Sequence, residues 1–420
     1  MKPTQSRFFP YNMLRPILGS VALLWPGAIL VFAASGQPTA TPALLLGQGD
    51  QLPRVKAELA AGNPALVAAL DKLKKNAEAA LKKPITNVVE GGDLPPGGDV
   101  HDYYSLSPYW WPDPAKPDGL PYLWKDGQEN PDRKKSDITR LDAMIDAVTA
   151  EVPAWYFTGD VRYAENAVQR LRAWFLDPAT RMNPNIRYGQ SRRGHKYNSH
   201  AGIIESGHLL WVVDCAILLE TFSGWTAKDA AGLRQWFGDF STWLADSPEG
   251  REEAMAPNNH GTWYNAQIIL FSLYGRNPER ARAYLEKMPA RIFAQVFMDG
   301  RQPQELIRTR TLHYSDFNSR ALVYVARLGR HLGVDLFAFR STEGRSIRLS
   351  LEYNAPFVLG KKPWPGEQIL SLSYSGIAET YWRAAIGFPD REFAKVVHQL
   401  PEGALPRPIV QLLDPLPAGW

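Results

Sequence analysis

Apolar residues recur at steps of three and four through most of the chain, the spacing that places them on one face of an α-helix. The pattern is clearest in 138–157, at Ile138, Leu141, Met144, Ile145, Val148 and Val152. The same spacing predicts helices in 163–175, 201–222, 233–244, 262–274, 279–298, 314–334, 346–357 and 374–386. Strand-like alternation is scarce and no β-α-β succession appears, so the chain is predicted to be all-α.

Two stretches, 155–164 and 273–281, share a weak internal repeat. Each has a helix that ends in aromatic residues, a glycine-containing turn, and a new helix that begins near an arginine and an alanine. Repeated helix–turn–helix pairs are typical of helices that stack into a solenoid or a closed ring.

A long segment, roughly 86–135, interrupts the helical pattern with many prolines and glycines and with seven aromatic residues between Tyr103 and Trp124. A loop of this length inside a compact domain is more often functional than idle. Its centre, Tyr109, Trp110 and Trp111, is either a buried aromatic cluster or a platform on which sugar rings stack.

The first 36 residues are predicted to be an export signal. Lys2, Arg7 and Arg15 precede an apolar run over 17–34, and small residues at 33–36 offer a cleavage site. An uncleaved membrane anchor is the alternative. We favour a cleaved signal, and thus a periplasmic or secreted protein without stable membrane insertion. Residues 37–53 are predicted to be a flexible lead-in, and 54–420 a single domain.

Charge and cysteine content exclude several classes. The net charge of +4 is too small to indicate nucleic-acid binding. The single cysteine, Cys215, excludes an internal disulfide.

His200 with Glu205 and His208 gives only half of a carboxylate-bridged metal site, so we expect neither a metal nor another cofactor.

A basic and aromatic loop lies at 186–197, where four Arg and Lys residues stand among tyrosines. Such a loop suits an anionic sugar chain, because cations meet carboxylates and ring faces meet pyranose C–H surfaces. A solvated loop that is merely basic is the alternative. The candidate residues here are Tyr188, Gln190, Arg192, Arg193 and Asn198.

Asn259 and His260 come directly before an apolar helical run, with Trp263 and Tyr264 one turn later. Asn258 or Asn259 could serve only as a helix N-cap. Alternatively, amide and imidazole donors at a helix N-terminus can neutralise a carboxylate.

Arg308 and Tyr314 lie six residues apart, at a predicted junction between a loop and a helix. A phenol has a reference pKa of about 10, and a nearby guanidinium favours the phenolate. The pair is therefore a candidate for proton abstraction. The alternatives are a core role for Tyr314 and a surface ion pair between Arg308 and Glu305.

Three stretches together resemble the alginate lyase superfamily, in particular polysaccharide lyase families five and thirty-eight. They are HDYYSLSPYWWPDP at 101–114, NHGTWY at 259–264, and the segment 299–314. The resemblance implies an (α/α) toroid, an incomplete helical barrel, with the long aromatic loop near its N-terminus. It also implies a tunnel-like cleft and an acidic polysaccharide substrate, alginate or glucuronan.

Carried over by position, Asn259 and His260 correspond to the carboxylate-neutralising pair, with His260 also a candidate base. Tyr314 corresponds to the catalytic tyrosine and Arg308 to the arginine that tunes it. The spacing departs from family five by one residue, which leaves Arg310 in competition with Arg308, and Asn198 competes with Asn259. The residues expected to bind substrate are Tyr109, Trp110, Trp111, Tyr188, Gln190, Arg192, Arg193, Asn198, His200, Trp263, Tyr264 and Arg310.

The predicted reaction is β-elimination, in which the C5 proton of a uronate is removed and O4 departs. In β-D-mannuronate and β-D-glucuronate these atoms lie on the same face, so one tyrosine can serve both steps. The sequence does not distinguish the two sugars, nor does it give the oligomeric state. The alternatives are a non-catalytic protein that binds acidic glycans, and a glycoside hydrolase that uses two carboxylates on the same toroid.

Overall fold

The structure is a computed structural model that describes residues 41–91, 94, 96–195 and 199–419. The export signal predicted over 1–36 and the first residues of the predicted lead-in lie outside the described residues, and so does Asn198.

Helices dominate the described residues, of which few are in strands. The described part of the chain contains fifteen α-helices: α1 (Leu52–Ala60), α2 (Pro64–Leu81), α3 (Asp137–Thr158), α4 (Val161–Leu171), α5 (Leu210–Leu219), α6 (Ala227–Asp246), α7 (Pro248–Ala254), α8 (Asn259–Tyr274), α9 (Pro278–Leu285), α10 (Met288–Gln295), α11 (Thr311–Arg330), α12 (Ile347–Val358), α13 (Tyr374–Gly387), α14 (Glu392–Gln399) and α15 (Pro408–Leu413). The prediction of an all-α chain is confirmed, because the structure is 58% helical and 3% strand.

The helices form an inner and an outer layer. Inner helices pack in the order α3, α5, α8, α11 and α13, each against the next. Outer helices pack behind them: α4 on α3, α6 and α9 on α8, α12 on α11, and α14 on α13. This arrangement is the (α/α) toroid that was predicted.

The burial of the inner helices explains their place. In α5 every residue except Ile217 is buried, and α8 is buried on nearly all sides. A helix that is apolar all round has to lie between other layers. Among the described residues, one helical run, His200–Leu219, is long and apolar enough to cross a membrane, but 78% of its most apolar window is buried inside the protein. It is a core helix.

The internal repeat seen in the sequence corresponds to two real helix–turn–helix junctions. At the first, Gly159 takes a positive φ of 78° between α3 and α4. At the second, Arg276 takes the positive φ, 61°, whereas Gly275 stays at φ −74°. Gly275 packs against Gly238 of α6, and a Cβ at Gly275 would lie 2.7 Å from the Gly238 Cα. Glycine is needed at 275 for close helix packing.

The long loop carries short strands and is tied to the toroid. Strand β1 (Tyr104–Leu106) pairs in parallel with β4 (Tyr188–Ser191), and β2 (Trp110–Trp111) pairs antiparallel with β3 (Leu123–Trp124). The buried Glu205 carboxylate accepts hydrogen bonds from the hydroxyls of Tyr103, at 2.8 Å, and Ser105, at 2.6 Å, and from Arg133, at 2.9 Å. These bonds tie the first strand of the loop and its C-terminal end to the 3₁₀ helix His200–Leu209, which precedes α5.

The segment before α1 is packed, so the predicted flexible lead-in over 37–53 is wrong from Leu44 onward. Leu44 and Leu46 are buried. The buried Asp214 carboxylate accepts the backbone N–H groups of Leu45, Leu46 and Gly47 at 2.7–3.2 Å. The sequence pattern missed this because the stretch is short and has no helical period.

We expect Asp214→Ala to lower the free energy of unfolding by about 2–5 kcal/mol, since three backbone amides lose their acceptor. Thermal unfolding of the variant measures the effect. Asp71→Ala is the control, because Asp71 is exposed and makes only a 3.5 Å surface pair with Lys74. Equal melting temperatures for the two variants would show that Asp214 does not hold the segment.

Candidate active site

A cleft of about 1160 Å³ opens between the inner helices and the long loop. Every inner helix contributes to its wall, and the loop contributes Tyr109, Trp110, Trp124 and Arg133. The wall is rich in cations and rings: its arginines are Arg133, Arg192, Arg308, Arg310, Arg320 and Arg407, and its aromatic residues are Tyr109, Trp110, Trp124, Trp211, Trp263, Tyr314, Phe317 and Tyr324.

Tyr314 lies in this cleft at the start of α11. Its hydroxyl accepts a hydrogen bond from Arg308 at 2.9 Å and lies 2.7 Å from the hydroxyl of Tyr109. The Arg308 guanidinium also stacks 3.9 Å from the centre of the Tyr314 ring. On its other side it forms an ion pair with Asp126 at 2.6 Å, and Asp126 accepts two further bonds from Thr309. Arg308, not Arg310, is therefore the guanidinium bonded to the phenol.

The phenol of Tyr314 is protonated at rest. Burial raises its pKa, the neighbouring Tyr109 raises it further, and Arg308 lowers it only in part, so the pKa stands well above its usual value. Arg308 lowers the pKa of Tyr314, as the sequence predicted, but the net shift is upward because burial has the larger effect. The guanidinium is where the sequence predicted it, but the energetic cost of burying a phenolate is larger than the attraction.

Asn259 opens α8, and Asn258 is the N-cap, whose side chain accepts the N–H of His260 at 3.2 Å. Asn259 borders the cleft but is 1% exposed. Its backbone N–H and its side-chain amide both donate to Glu305, each at 2.6 Å. Burial raises the pKa of Glu305 to about 7, although the bonds from Asn259 oppose the shift. Glu305 therefore holds Asn259 and is no surface partner of Arg308.

His260 is held by a carboxylate that no solvent reaches. Its Nδ1 lies 2.7 Å from Oε1 of Glu253, and Nδ1 of His200 lies 2.7 Å from Oε2 of the same group. Glu253 is fully buried. Burial raises its pKa, but the two histidines more than offset this and the net shift is downward. An ionised carboxylate can only accept, so Nδ1 of each histidine donates to Glu253, and Nε2 is the ring nitrogen of His260 that is left for another partner.

The structure brings most of the sequence candidates together. Asn259, His260, Arg308 and Tyr314 all border the cleft, as do six of the residues expected to bind substrate: Tyr109, Trp110, Gln190, Arg192, Trp263 and Arg310. Trp110 and Arg192 form one unit, with the guanidinium 5.0 Å from the ring centre.

Other candidates lie elsewhere. Tyr264 is fully buried and donates to the Leu244 carbonyl at 2.9 Å, so it cannot contact a ligand in the cleft. Tyr188 packs on Tyr104 and Leu106 in a small separate cluster. Three further expected substrate contacts do not line the cleft: Trp111, Arg193 and His200.

Sequence reasoning missed the roles of three acids that organise the site: Asp126, Glu253 and Glu305. They are three of 43 acidic residues. Asp126 has no signal at all in the sequence, since its partner Arg308 is 182 residues away. Glu253 lies seven residues before His260, and Glu305 lies three residues before Arg308. Those short separations were the only available hints.

The residues that gave half of a metal-site motif in the sequence form hydrogen bonds to other parts of the protein. Glu205 binds the long loop, and His208 lies 2.7 Å from Asp142 through Nδ1. Within the described residues no group of three or more His, Cys, Asp or Glu side chains is arranged to hold a metal ion.

Comparison with known proteins agrees with this geometry. The family model described as alginate lyase matches residues 87–364, more than half of the chain. A solved alginate lyase from Bacteroides ovatus is 35% identical, with 89% of this chain and 99% of that chain covered and a TM-score of 0.83.

Two more distant structures show the fold alone. Alginate lyase A1-III from Sphingomonas species A1 is 15% identical, covers 82% of this chain and 95% of its own, and has a TM-score of 0.53. A variant of alginate lyase A1-III complexed with tetrasaccharide is 15% identical, with 83% and 95% covered and a TM-score of 0.54. No curated protein matches the chain.

The resemblance inferred from the three sequence motifs is thus confirmed by a family model over most of the domain and by a relative that spans nearly the whole of it. The chain belongs to the alginate lyase family and is a polysaccharide lyase.

Proposed function

We propose that the cleft cleaves β-1,4-linked uronans, polymannuronate or glucuronan, by β-elimination between C5 and O4, and leaves an unsaturated uronate end. The observation that carries the proposal is the Tyr314 phenol, bonded to Arg308 at 2.9 Å, in an arginine-rich cleft that also contains a carboxylate-held histidine. Export through the predicted signal at 1–36 is part of the same proposal, since such polymers lie outside the cell.

The first requirement of the reaction is to neutralise the carboxylate beside C5. Arg310 borders the cleft, and within the described residues it has no acidic partner within 4.0 Å. Asn259 stands at the N-terminal end of α8, where the helix dipole favours an anion. Fixed donors of this kind stabilise the charge that develops on the carboxylate when the C5 proton leaves.

His260 is the group best suited to take that proton. Its Nδ1–H is bound to Glu253, which fixes the ring and leaves Nε2 as the acceptor. The buried carboxylate also stabilises the imidazolium that forms, as the aspartate does in a serine-protease triad.

Tyr314 is the group best suited to protonate the departing O4. Because its pKa is raised, it carries its proton until the reaction begins. Arg308 then stabilises the phenolate that remains, and the Tyr109 hydroxyl at 2.7 Å offers a route for the proton to return. In this proposal the sequence-derived roles are divided, with His260 as base and Tyr314 as acid.

The position of the two groups supports a preference among uronates. His260 and Tyr314 stand at the N-terminal ends of α8 and α11, which pack against each other. We infer that both groups act on the same face of the sugar ring. Mannuronate and glucuronate place the C5 hydrogen and O4 on the same face and fit this arrangement, whereas guluronate places them on opposite faces.

Hydrolysis by a carboxylate pair has less support. Glu205 is engaged by Tyr103, Ser105 and Arg133. Burial raises the pKa of Glu379, but Arg407 and Arg383 more than offset this and bring it to about 2. A glycosidase needs one carboxyl group that keeps its proton, so Glu379 is unsuited to that role.

Tyr314→Phe tests the acid directly. We expect the initial rate of unsaturated-uronate formation, followed by ultraviolet absorbance on polymannuronate and glucuronan, to fall by about 10²–10⁴-fold. KM should change little because the ring and its stacking remain. Tyr374→Phe is the matched control, since no contact of Tyr374 with Tyr314 or Arg308 is seen. A Tyr314→Phe rate within a few-fold of the native rate would contradict the assignment.

Glu253→Gln tests how His260 is held. A neutral amide can donate to Nδ1 and so stabilise the wrong tautomer, so we expect kcat to fall on the order of 10²–10⁴-fold with KM nearly unchanged. The acidic limb of the pH–rate profile should shift as well. Glu252→Gln, at the exposed neighbouring residue, is the control. A native profile in Glu253→Gln would rule out His260 as the base.

Asp126→Asn tests the ion pair that holds Arg308. Without the carboxylate, the guanidinium loses its fixed position against the phenol. We expect kcat to fall roughly 10–100-fold, by analogy with the loss of partners that orient metal ligands. Asp118→Asn, at an exposed residue of the same loop, should leave the rate unchanged. Equal rates for the two variants would show that Arg308 needs no anchor.

A further inference from the structure

The cleft-facing side of α11 continues well beyond the reacting group. Arg310, His313, Phe317, Arg320 and Tyr324 are spaced by three, four, three and four residues, and all border the cleft. At a rise of about 1.5 Å per residue, the backbone of Arg320 lies about 9 Å along the helix from that of Tyr314. The stripe is therefore long enough to meet a second sugar.

Arg320 differs from most of the cleft arginines in its charge balance. Arg133, Arg308 and Arg407 form ion pairs with Glu205, Asp126 and Glu379 at 2.9, 2.6 and 3.6 Å. Within the part of the chain that the structure describes, Arg320 has no acid within 4.0 Å, and its buried Nε has no hydrogen-bond partner.

Two acids act on Arg320 from a longer distance, Asp316 and Glu379. Burial raises the pKa of Asp316 to about 6. Glu379 already forms ion pairs with Arg383 and Arg407. Neither acid forms an ion pair with the Arg320 guanidinium. Its positive charge therefore remains available to an anion in the cleft.

The surroundings of Arg320 fix its orientation. Its guanidinium lies 5.2 Å from the ring centre of Phe317 and 5.8 Å from that of Trp263. A guanidinium that lies against aromatic rings keeps its N–H edge free, and that edge matches the two oxygens of a carboxylate.

His313 lies beside it and stays neutral. The ring stacks on Phe317, with centres 5.9 Å apart and planes at 9°. Burial and the charges of Arg310, Arg320 and Arg308 lower its pKa to about 3. Among the described residues neither ring nitrogen has a hydrogen-bond partner. A neutral imidazole offers one donor and one acceptor, which suits a carboxylate and a sugar hydroxyl together.

We propose that Arg320 and His313 form a second carboxylate site, which holds the uronate next to the one that is cleaved. The inference rests on the proposed function and deepens it. Because two carboxylates must be met in succession, the cleft selects polymers of contiguous uronates over polymers in which uronates alternate with neutral sugars. His313 and Arg320 are binding residues here and take no part in proton transfer.

The first experiment measures binding without turnover. In a Tyr314→Phe background, calorimetry with tetramannuronate is compared for the parent, Arg320→Gln and Arg282→Gln, in which Arg282 is an exposed arginine that donates to the Leu332 carbonyl. We expect Arg320→Gln to weaken binding about tenfold, as for loss of one charge-assisted bond, and to reduce its salt dependence. Arg282→Gln should match the parent.

Three additions make the outcome decisive. Uncharged mannotetraose should bind the parent and Arg320→Gln equally. His313→Leu should weaken tetramannuronate binding several-fold, and it tests the same site independently if Arg320→Gln does not fold. In the active protein, Arg320→Gln should raise KM on polymannuronate about tenfold and leave kcat within about twofold.

Unchanged tetramannuronate binding in folded Arg320→Gln and His313→Leu would overturn the second site. An equal loss of mannotetraose binding would overturn it too, because the effect would then not involve a carboxylate. If the native chain cleaves no uronan but Arg320→Gln still weakens tetramannuronate binding, the proposed reaction fails and the second site stands.

Discussion

The ion pair between Asp126 and Arg308, at 2.6 Å, is the interaction on which the active site depends. It joins the long loop to the start of α11 and places a guanidinium against the Tyr314 phenol. The same loop brings the Tyr109 hydroxyl to 2.7 Å from Tyr314. Without this pair, the toroid would still present Tyr314, but neither the cation that stabilises its phenolate nor the second hydroxyl would have a fixed place.

The same principle recurs around the cleft, where buried carboxylates hold the groups that face the substrate. Glu253 orients His260, Glu305 holds Asn259, and Glu205 anchors the loop through Arg133. Each burial costs desolvation free energy, which is offset because every carboxylate accepts two or more hydrogen bonds. The groups are therefore in place before substrate binds, which is how fixed dipoles lower a barrier without reorganising.

The local sequence pattern was enough to predict the helices and the reactive residues of the site, but not the acids that hold those residues in place. The steps of three and four predicted the helices because core burial imposes that period. The same period separates Trp263, in the cleft, from Tyr264, which is turned about 100° away and buried. The partnership of Asp126 with Arg308 spans 182 residues, and only the folded chain reveals it. The sequence showed the cation beside Tyr314, but not the burial that outweighs it.

The measurement that tests the account most directly is cleavage of polymannuronate in water enriched in the heavy oxygen isotope, with the masses of the products measured by mass spectrometry. Elimination breaks the C4–O4 bond without adding water, so the account predicts products with an unsaturated end and no heavy oxygen from the solvent. Incorporation of one heavy oxygen at each cut, with saturated ends, would mean hydrolysis and would contradict the assignment of His260 and Tyr314 as the base and acid of an elimination.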